Sequence, residues 1–314
     1  MHRYIIKRVL LMIPVVLGVL FIVFSILYLS PGDATTTILG TSWTPEGAAE
    51  IRSHLGLDDP FFVQFFRYLA RLLQGDLGAS YVTGLPVIQQ VKISFPNTAI
   101  LVAVSITLAV LVSIPIGTRA AIKPNSLFSA ISTAFALVGI SAPGFWIGLL
   151  LVLLFSLKLG WLPAAGLGSW KAVIMPSIVL SLSYMAGLSR MMRSSMIEAM
   201  RMDYIRTARA KGVKSHDVTH THALKNALLP TITLIGSYTG EMLGGAVICE
   251  TVFAIPGMGR LMVESVLSRD IPCVLAAVTI MAICVAGMSL ITDLAYAFFD
   301  PRIKAQYARE RAVG

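Results

Sequence analysis

The sequence predicts an all-α polytopic membrane protein with six transmembrane helices. Only 13% of its 314 residues are charged and 56% are hydrophobic, whereas about a quarter of the residues of a soluble domain are charged. A helix needs about 20 apolar residues to cross a hydrocarbon core of ~30 Å. Six segments reach this length: residues 9–30, 97–118, 127–157, 173–192, 226–252 and 271–298. Six crossings return both ends of the chain to the same side of the membrane.

The first apolar segment predicts an uncleaved membrane anchor. Arg3, Lys7 and Arg8 precede it, and no small-residue cleavage site comes before Pro31. A secretory signal peptide carries such a site after a shorter apolar stretch. Residues 1–30 are therefore expected to form a short cytoplasmic N-terminus and the first span.

Residues 31–96 predict a small helical insertion outside the membrane. A first helix is expected from Glu46 onwards, and Gly56 is expected to end it. A second helix is expected between Phe61 and Leu73, where aromatic and leucine side chains recur at helical spacing. Such amphipathic helices lie at the membrane surface. The insertion is interpreted as a docking or capping element, with an inert spacer as the alternative.

The distribution of basic residues predicts the orientation. Lys and Arg concentrate at both termini and in the loop 193–225, whereas residues 31–96 contain four basic and six acidic residues. Cytoplasmic loops of membrane proteins carry the excess of basic residues. Both termini and the loop 193–225 are therefore expected in the cytoplasm. Residues 97–298 form the core membrane domain in this interpretation, and residues 299–314 form a cytoplasmic tail. The net charge of +9 then reflects topology, so no nucleic-acid partner is expected.

The usual ATP, metal and nucleophile motifs are missing from the sequence. It contains no Gly-x-x-x-x-Gly-Lys-Ser/Thr, no His-Glu-x-x-His and no Gly-x-Ser-x-Gly. Cys249 and Cys273 are interpreted as small buried hydrophobic side chains, and a disulfide between them is the alternative. His216, His220 and His222 lie in a polar loop and are expected to be solvated. The chain is therefore expected to be neither an enzyme nor a cofactor-binding or metal-binding protein, and energy must come from a partner.

The loop between the fourth and fifth spans carries a specific helical pattern. Small and apolar side chains recur every three or four residues from Ser195 to Lys211, which predicts a helix that Gly212 ends. A second helical stretch is expected from Ser215 to Pro230, where the chain re-enters the membrane.

The side chains of this loop predict a surface for another protein. Ala208 and Ala210 permit close approach, and Arg206, Arg209 and Lys211 supply positive charge. A purely topogenic basic loop is the alternative. It accounts for the charge but not for the small residues, the glycine and the proline together.

These residues resemble the permeases of the dipeptide, oligopeptide, nickel and glutathione branch of ABC importers. In that branch Thr-Ala-Arg-Ala-Lys-Gly is followed by Asn-Ala-x-x-Pro, as in residues 206–213 and 224–230 here. A departure is Ala254-Ile-Pro256, where relatives commonly place an aromatic residue before the proline. Further matching motifs run along nearly the whole chain: Tyr4-Ile-Ile-Lys-Arg8, Pro31-Gly-Asp33, Leu55-Gly-Leu-Asp58, Gly75-Asp-Leu-Gly78, Gly160-Trp-Leu-Pro163, Pro256-Gly-Met-Gly-Arg260 and Asp300-Pro-Arg-Ile303.

The resemblance implies a fold, partners and a binding site. The fold is that of a type I ABC importer permease, and the chain looks like the first permease subunit of a bacterial inner-membrane transporter. Its implied partners are a second homologous permease, two ATP-binding subunits that hold ATP and Mg, and an extracytoplasmic solute-binding protein. Ala208 is expected against the ATP-binding subunit, and Gly212 at a positive φ. The residues expected to couple to that subunit are Asp203, Thr207, Ala208, Arg209, Ala210, Gly212, Asn226 and Pro230.

Acidic residues inside the fifth span mark a candidate substrate pathway or gate. Glu241 and Glu250 lie in that apolar segment, and ionisable groups in a membrane usually face a cavity or a partner. For Glu241 the alternative is a packing role, since glycines near it allow close helix approach. For Glu250 the alternative is a hydrogen bond to the turn at 253–260.

The expected function is to form half of the pathway of an ATP-driven importer of di- and oligopeptides. The same machinery importing nickel, a metal chelate or glutathione is the alternative. A passive channel is an alternative of another class, but a channel needs no docking loop. A membrane-embedded enzyme needs its catalytic groups at one depth, whereas Glu241, Glu250 and Asp293 are expected at different depths.

Overall fold

The computed structural model describes residues 2–30 and 34–299, and the regular structure within them is helical. The predicted motifs at 31–33 and 300–303 and the tail from 300 onwards lie outside the described residues. The helices are α1 (His2–Leu29), α2 (Ala34–Leu39), α3 (Pro45–Leu55), α4 (Phe61–Leu73), α5 (Val87–Ile122), α6 (Leu127–Ser141), α7 (Gly144–Leu151), α8 (Trp170–Arg201), α9 (Asp203–Ala210), α10 (Ser215–Asp217), α11 (Leu224–Val252), α12 (Met258–Leu267) and α13 (Ile271–Phe299), with a 3-10 turn at Gly40–Ser42 and π-helical turns at Val152–Lys158 and Val218–Ala223.

Five helices are long and apolar enough to cross a membrane within the described parts of the chain. They are Arg8–Leu29, Val87–Ile122, Trp170–Arg201, Ser215–Val252 and Ile271–Ala295. A sixth span is present if the bent pair Leu127–Ser141 and Gly144–Lys158 is taken as one crossing. The predicted all-α fold with six spans is consistent with this arrangement.

The third predicted span is wrong as a single helix. Residues 127–157 form two helical pieces that meet at an angle of 102°. The break lies at Ala142, whose ψ of 130° is extended, and Pro143 follows it. A residue before proline is disfavoured in the α conformation, and proline has no backbone N–H to continue the hydrogen-bond ladder. The sequence signal for the break was therefore present.

The chain divides into two compact units, and the first comprises residues 1–99 and 254–286. Both helices predicted in the insertion are confirmed: α3 ends at Gly56 with φ 65°, and α4 runs from Phe61 to Leu73. The aromatic face of α4 packs against α1. Phe24 and Phe65 lie 5.4 Å apart between ring centroids, and edge-on contacts of this kind add to the burial of apolar surface.

A buried carboxylate connects two loops of this first unit. Asp270 is almost fully buried; it accepts a hydrogen bond from the Ser80 hydroxyl and another, at 3.0 Å, from the backbone N–H of Tyr81. Burial and the nearby Asp270 carboxylate raise the pKa of Tyr81 above its ordinary value, with Arg71 opposing. The loop before α5 is thereby tied to the start of α13.

The second unit comprises residues 100–253 and 287–314, and its described part is organised around α8. The helices α6 and α11 both pack along α8. Close approach depends on small residues: a Cβ at Gly117 of α5 would lie 2.7 Å from the backbone oxygen of Ser189 on α8. Small residues allow membrane helices to pack backbone against backbone. The cysteines of the described residues are free thiols, so the alternative of a disulfide between Cys249 and Cys273 is not what the structure has.

Candidate functional site

The first candidate site is the loop between α8 and α11. The predicted helix from Ser195 to Lys211 is wrong as one element, because Met202 is extended (φ −70°, ψ 151°) and separates α8 from α9. The chain turns at this residue, so α9 takes its own direction. The apolar residues keep the same helical spacing on both sides of Met202, so the sequence pattern does not indicate the break.

The end of α9 is a Schellman turn that places Gly212 in the left-handed region. The N–H of Val213 bonds the carbonyl of Ala208 at 3.2 Å, and the N–H of Gly212 bonds that of Arg209 at 3.0 Å. Gly212 has φ 78°, which confirms the positive φ predicted for it. The turn satisfies carbonyls that the helix end leaves unpaired.

The inner face of α9 packs on the chain itself. Ile205 is 0% and Ala208 8% exposed, and both belong to an apolar cluster with Met192 and Met196 of α8 and Ala223. Ala208 faces its own chain, so the expectation that it lies against an ATP-binding subunit is wrong. Ala208 fits close against its own chain, and the small side chain is explained by that packing.

The outer face of α9 is polar and exposed. The side chains of Asp203 and Arg206 are 96% and 79% exposed and lie 3.7 Å apart. The hydroxyl of Thr207 donates to the carbonyl of Asp203 at 3.1 Å, and Arg209 and Ala210 are also exposed. An exposed ion pair of this kind contributes little to stability. The face is therefore held rigid by the buried side of α9 and is free to contact another molecule.

The second helical stretch re-enters the membrane without a break. Ser215–Val252 is one continuous span that includes a π-helical turn at Val218–Ala223. Pro230 lies inside it rather than at a helix boundary. The side-chain amide of Asn226 donates to the Tyr204 hydroxyl at 3.2 Å and thus connects this span to α9.

The second candidate site is the acidic pair of α11, which the structure does not bring together. Glu241 and Glu250 are nine positions apart, and at about 100° per residue they lie on opposite faces of the helix. Glu241 is exposed, while Glu250 is fully buried. Glu250 thus presents no surface to a pathway in this conformation.

Two tyrosines lie near Glu241. Tyr184 of α8 and Tyr238 of α11 pack edge to face with ring centroids 5.0 Å apart, and the Glu241 carboxylate acts electrostatically on both. Gly187 makes room for this pair, since a Cβ there would lie 2.3 Å from the Tyr238 hydroxyl. Neither ring was predicted from the sequence. The position of Tyr238, one helical turn before Glu241, was a usable signal, whereas Tyr184 comes close only through the packing of α8 on α11.

Comparison with protein families decides what this architecture is. Residues 113–305 match the model of the binding-protein-dependent transport system inner membrane component, and residues 1–103 match the model of the N-terminal part of such membrane components. The chain belongs to this family. It is a membrane-embedded permease subunit of an ABC importer, and the family members of this kind are not themselves catalytic.

Similar proteins cover the permease almost from end to end. The oligopeptide transport system permease AppB of Bacillus subtilis is 39% identical, over 97% of this chain and 100% of AppB. The dipeptide permease DppB of Alkalihalophilus pseudofirmus is 37% identical, over 97% of this chain and 100% of DppB. The glutathione permease GsiC of Salmonella paratyphi A is 40% identical, over 97% and 99%.

Solved structures agree on the fold of the permease. The MetNI methionine ABC transporter in an inward-facing conformation matches with a TM-score of 0.58 and 14% identity, over 68% of this chain and 97% of that chain. An amino acid ABC transporter crystallised with histidines matches with a TM-score of 0.52 and 17% identity, over 73% and 97%. At these identities the likeness concerns the fold alone.

Proposed function

We propose that this permease forms half of a peptide pathway that is driven by ATP hydrolysis on separate subunits. The observation that carries this proposal is the outer face of α9. It is polar, exposed and held in place by a buried inner face and a Schellman turn. A helix with a buried inner face and an open outer face can transfer the motion of a docked protein to the spans on either side.

The proposed assembly contains four kinds of subunit. This chain pairs with a second, homologous permease, and two ATP-binding subunits dock on the outer faces of α9 and its counterpart. ATP and Mg are held by those subunits. An extracytoplasmic binding protein delivers the solute to the side of the insertion 31–96. Closure of the ATP-binding subunits then moves α9 with the end of α8 and switches the spans between two discrete arrangements.

The proposed orientation places both termini and the loop 193–225 in the cytoplasm of a bacterial cell. The loop carries more basic residues than any other connection between spans, including Arg206, Arg209 and Lys211, in keeping with the positive-inside rule. The outer face of α9 then points to the compartment that holds ATP.

Peptides are the proposed substrates, since AppB and DppB are named for oligopeptides and dipeptides. A glutathione importer is a second candidate, because GsiC is 40% identical over nearly the same length. Nickel or a metal chelate rests only on the wider family resemblance. The solute retained by the cognate binding protein, identified by mass spectrometry of the purified protein, separates these candidates.

A substitution on the outer face of α9 tests the docking proposal. Ala210→Trp adds bulk to an exposed position and leaves the buried Ile205 and Ala208 untouched. Over-packing a close interface costs roughly 1–3 kcal/mol, so peptide uptake by the reconstituted importer is expected to fall about tenfold or more and co-purification of the ATP-binding subunit to weaken. Lys214→Ala, beyond the turn, is the matched control and should transport normally. Normal uptake by Ala210→Trp, with the ATP-binding subunit fully retained, contradicts the proposed docking face.

Glu241 is proposed to line the pathway together with Tyr184 and Tyr238. Glu241→Gln keeps the shape and hydrogen-bonding capacity of the side chain and removes its charge. Uptake is expected to change while the assembled complex and its basal ATP hydrolysis persist. Loss of assembly in this variant supports the packing role of Glu241 instead.

A further inference from the structure

A small cavity between α5, α6 and α8 has no part in the transport mechanism described above. Its volume is about 90 Å³, and its lining includes Arg190 and Arg193 of α8. On the α6 side it is lined by Ser132, Thr133, Leu137 and Ile140. All of these residues belong to the second compact unit.

The guanidinium groups of Arg190 and Arg193 differ in their surroundings: Arg190 is exposed and interacts electrostatically with Tyr238, whereas Arg193 is partly buried. Within the described residues neither Arg190 nor Arg193 forms a hydrogen bond or an ion pair, and Nε of Arg193 is buried without an acceptor. The hydroxyls of Ser132 and Thr133 already donate to carbonyls of their own helix at 2.7 and 2.8 Å. A buried donor without an acceptor is costly. The cavity therefore contains one buried cationic donor without an acceptor, Nε of Arg193, beside the exposed guanidinium of Arg190.

The arginines lie at the membrane interface. On α8, Lys171 and Arg190 enclose 18 uncharged residues, and at ~1.5 Å per residue this stretch is ~27 Å long. A hydrocarbon core is ~30 Å thick. Arg190 and Arg193 thus sit at the headgroup level, at the end of the spans that carries the loop 193–225.

The cavity has a polar end and an apolar end. The Ser183 hydroxyl of α8 donates to the carbonyl of Gly139 on α6 at 3.1 Å, while Ser132 and Thr133 line the cavity together with Ser189 and Arg190, so the two helices run in opposite directions. Seven residues before Gly139, Ser132 is therefore level with the arginines. Leu137 and Ile140 lie nearer the membrane centre, and they are 56% and 44% exposed.

We propose that this cavity binds the phosphate of an anionic phospholipid, with one acyl chain along Leu137 and Ile140. Guanidinium groups bind phosphate through paired, charge-assisted hydrogen bonds, and basic pockets between transmembrane helices receive anionic headgroups. At about 90 Å³ the cavity has room for more than one water, and thus for a group of the size of a phosphate. The exposed apolar rim favours a lipid over a soluble anion, since an acyl chain can cover Leu137 and Ile140 and a soluble anion cannot.

Lipid binding to the full-length chain tests the proposal without any transport. Native mass spectrometry in detergent compares phosphatidylglycerol with phosphatidylethanolamine of the same acyl chains. The wild type is expected to retain one phosphatidylglycerol preferentially. Arg190→Gln combined with Arg193→Gln is expected to weaken its binding about 30-fold, which corresponds to ~2 kcal/mol at about 1 kcal/mol per basic residue. Arg201→Gln, on the same helix outside the cavity lining, is the matched control and should bind as the wild type does.

Further arms separate the other outcomes. Ala136→Leu fills the cavity while keeping both arginines and should also reduce phosphatidylglycerol binding, and the melting temperature checks that each variant is folded. The proposal is overturned if the wild type shows no preference for phosphatidylglycerol, or if the folded double variant retains it. It is also overturned if millimolar inorganic phosphate displaces the lipid completely, which indicates a soluble-anion site. Loss of the lipid when the second permease is added indicates a subunit interface and overturns it as well.

Discussion

At the residue scale, Gly212 determines how the chain leaves α9. Its φ of 78° lies in the region that side chains with a Cβ disfavour, and nothing lies within 4 Å of the position that a Cβ would take. Any cost of substitution is therefore backbone strain rather than a clash. The turn chemistry of the sequence predicted this conformation, because a glycine after a helical run is a frequent C-terminal cap.

A graded pair of substitutions at Gly212 is expected to show this strain. Gly212→Asn should be mild, because asparagine tolerates the left-handed region, whereas Gly212→Val should cost roughly 1–2 kcal/mol locally. Hydrogen exchange of the Val213 amide, which bonds Ala208 at 3.2 Å, is expected to speed up in the order Gly, Asn, Val. Uptake by the reconstituted importer should fall in the same order. Equal exchange in all three proteins contradicts the strain argument.

Gly117 shows the opposite case, in which space rather than φ requires glycine. A Cβ there would lie 2.7 Å from both the Ser189 carbonyl oxygen and the Met192 Cβ. Gly117→Ala is expected to destabilise the chain by roughly 1–3 kcal/mol, measured as a lower melting temperature in detergent. Gly244→Ala is the matched control, since nothing lies within 4 Å of its added Cβ. A melting temperature unchanged by Gly117→Ala means that α5 can move away from α8.

At the element scale, the sequence predicted where helices exist better than where they break. The lengths of the apolar segments predicted the spans, and the glycines that follow α3 and α9 predicted where these helices end. The breaks at Ala142 and Met202 were missed. At Ala142 the Pro143 signal was outweighed by the length of the apolar run. At Met202 no glycine or proline is present, so the break arises from how Ile205 and Ala208 pack rather than from local chemistry.

The facing of α9 could not be read from its composition. Small residues occur both at close interfaces and in tightly packed interiors, so Ala208 and Ala210 were equivalent in the sequence. The structure separates them: Ala208 is 8% exposed within the apolar cluster, whereas Ala210 is exposed. Which side of α9 is buried depends on tertiary packing, and the sequence of α9 alone does not show it.

The two faces of α9 are therefore expected to respond differently to the same substitution. Ala208→Leu over-packs the cluster around Met192 and Met196 and should destabilise the isolated chain by roughly 1–3 kcal/mol. Ala210→Leu should leave the melting temperature of the isolated chain unchanged. Thermal unfolding of the two variants in the same detergent makes the comparison. Equal destabilisation by both contradicts the assigned facing.

At the scale of the whole molecule, the proposed orientation rests on the positive-inside rule, which predicts the loop 193–225 in the cytoplasm and the insertion outside. Ser42 and Ser215 report on the two sides, since both positions are exposed, and Cys249 and Cys273 are buried. With the three native cysteines replaced by serine or alanine, cysteine is introduced at one position at a time. An impermeant thiol reagent applied to intact cells is expected to label Ser42→Cys and not Ser215→Cys. After the membrane is opened, both should react, which shows that Ser215→Cys is accessible. Labelling of Ser215→Cys alone in intact cells contradicts the predicted orientation. In that case α9 lies outside the cytoplasm, where no ATP-binding subunit can dock on it.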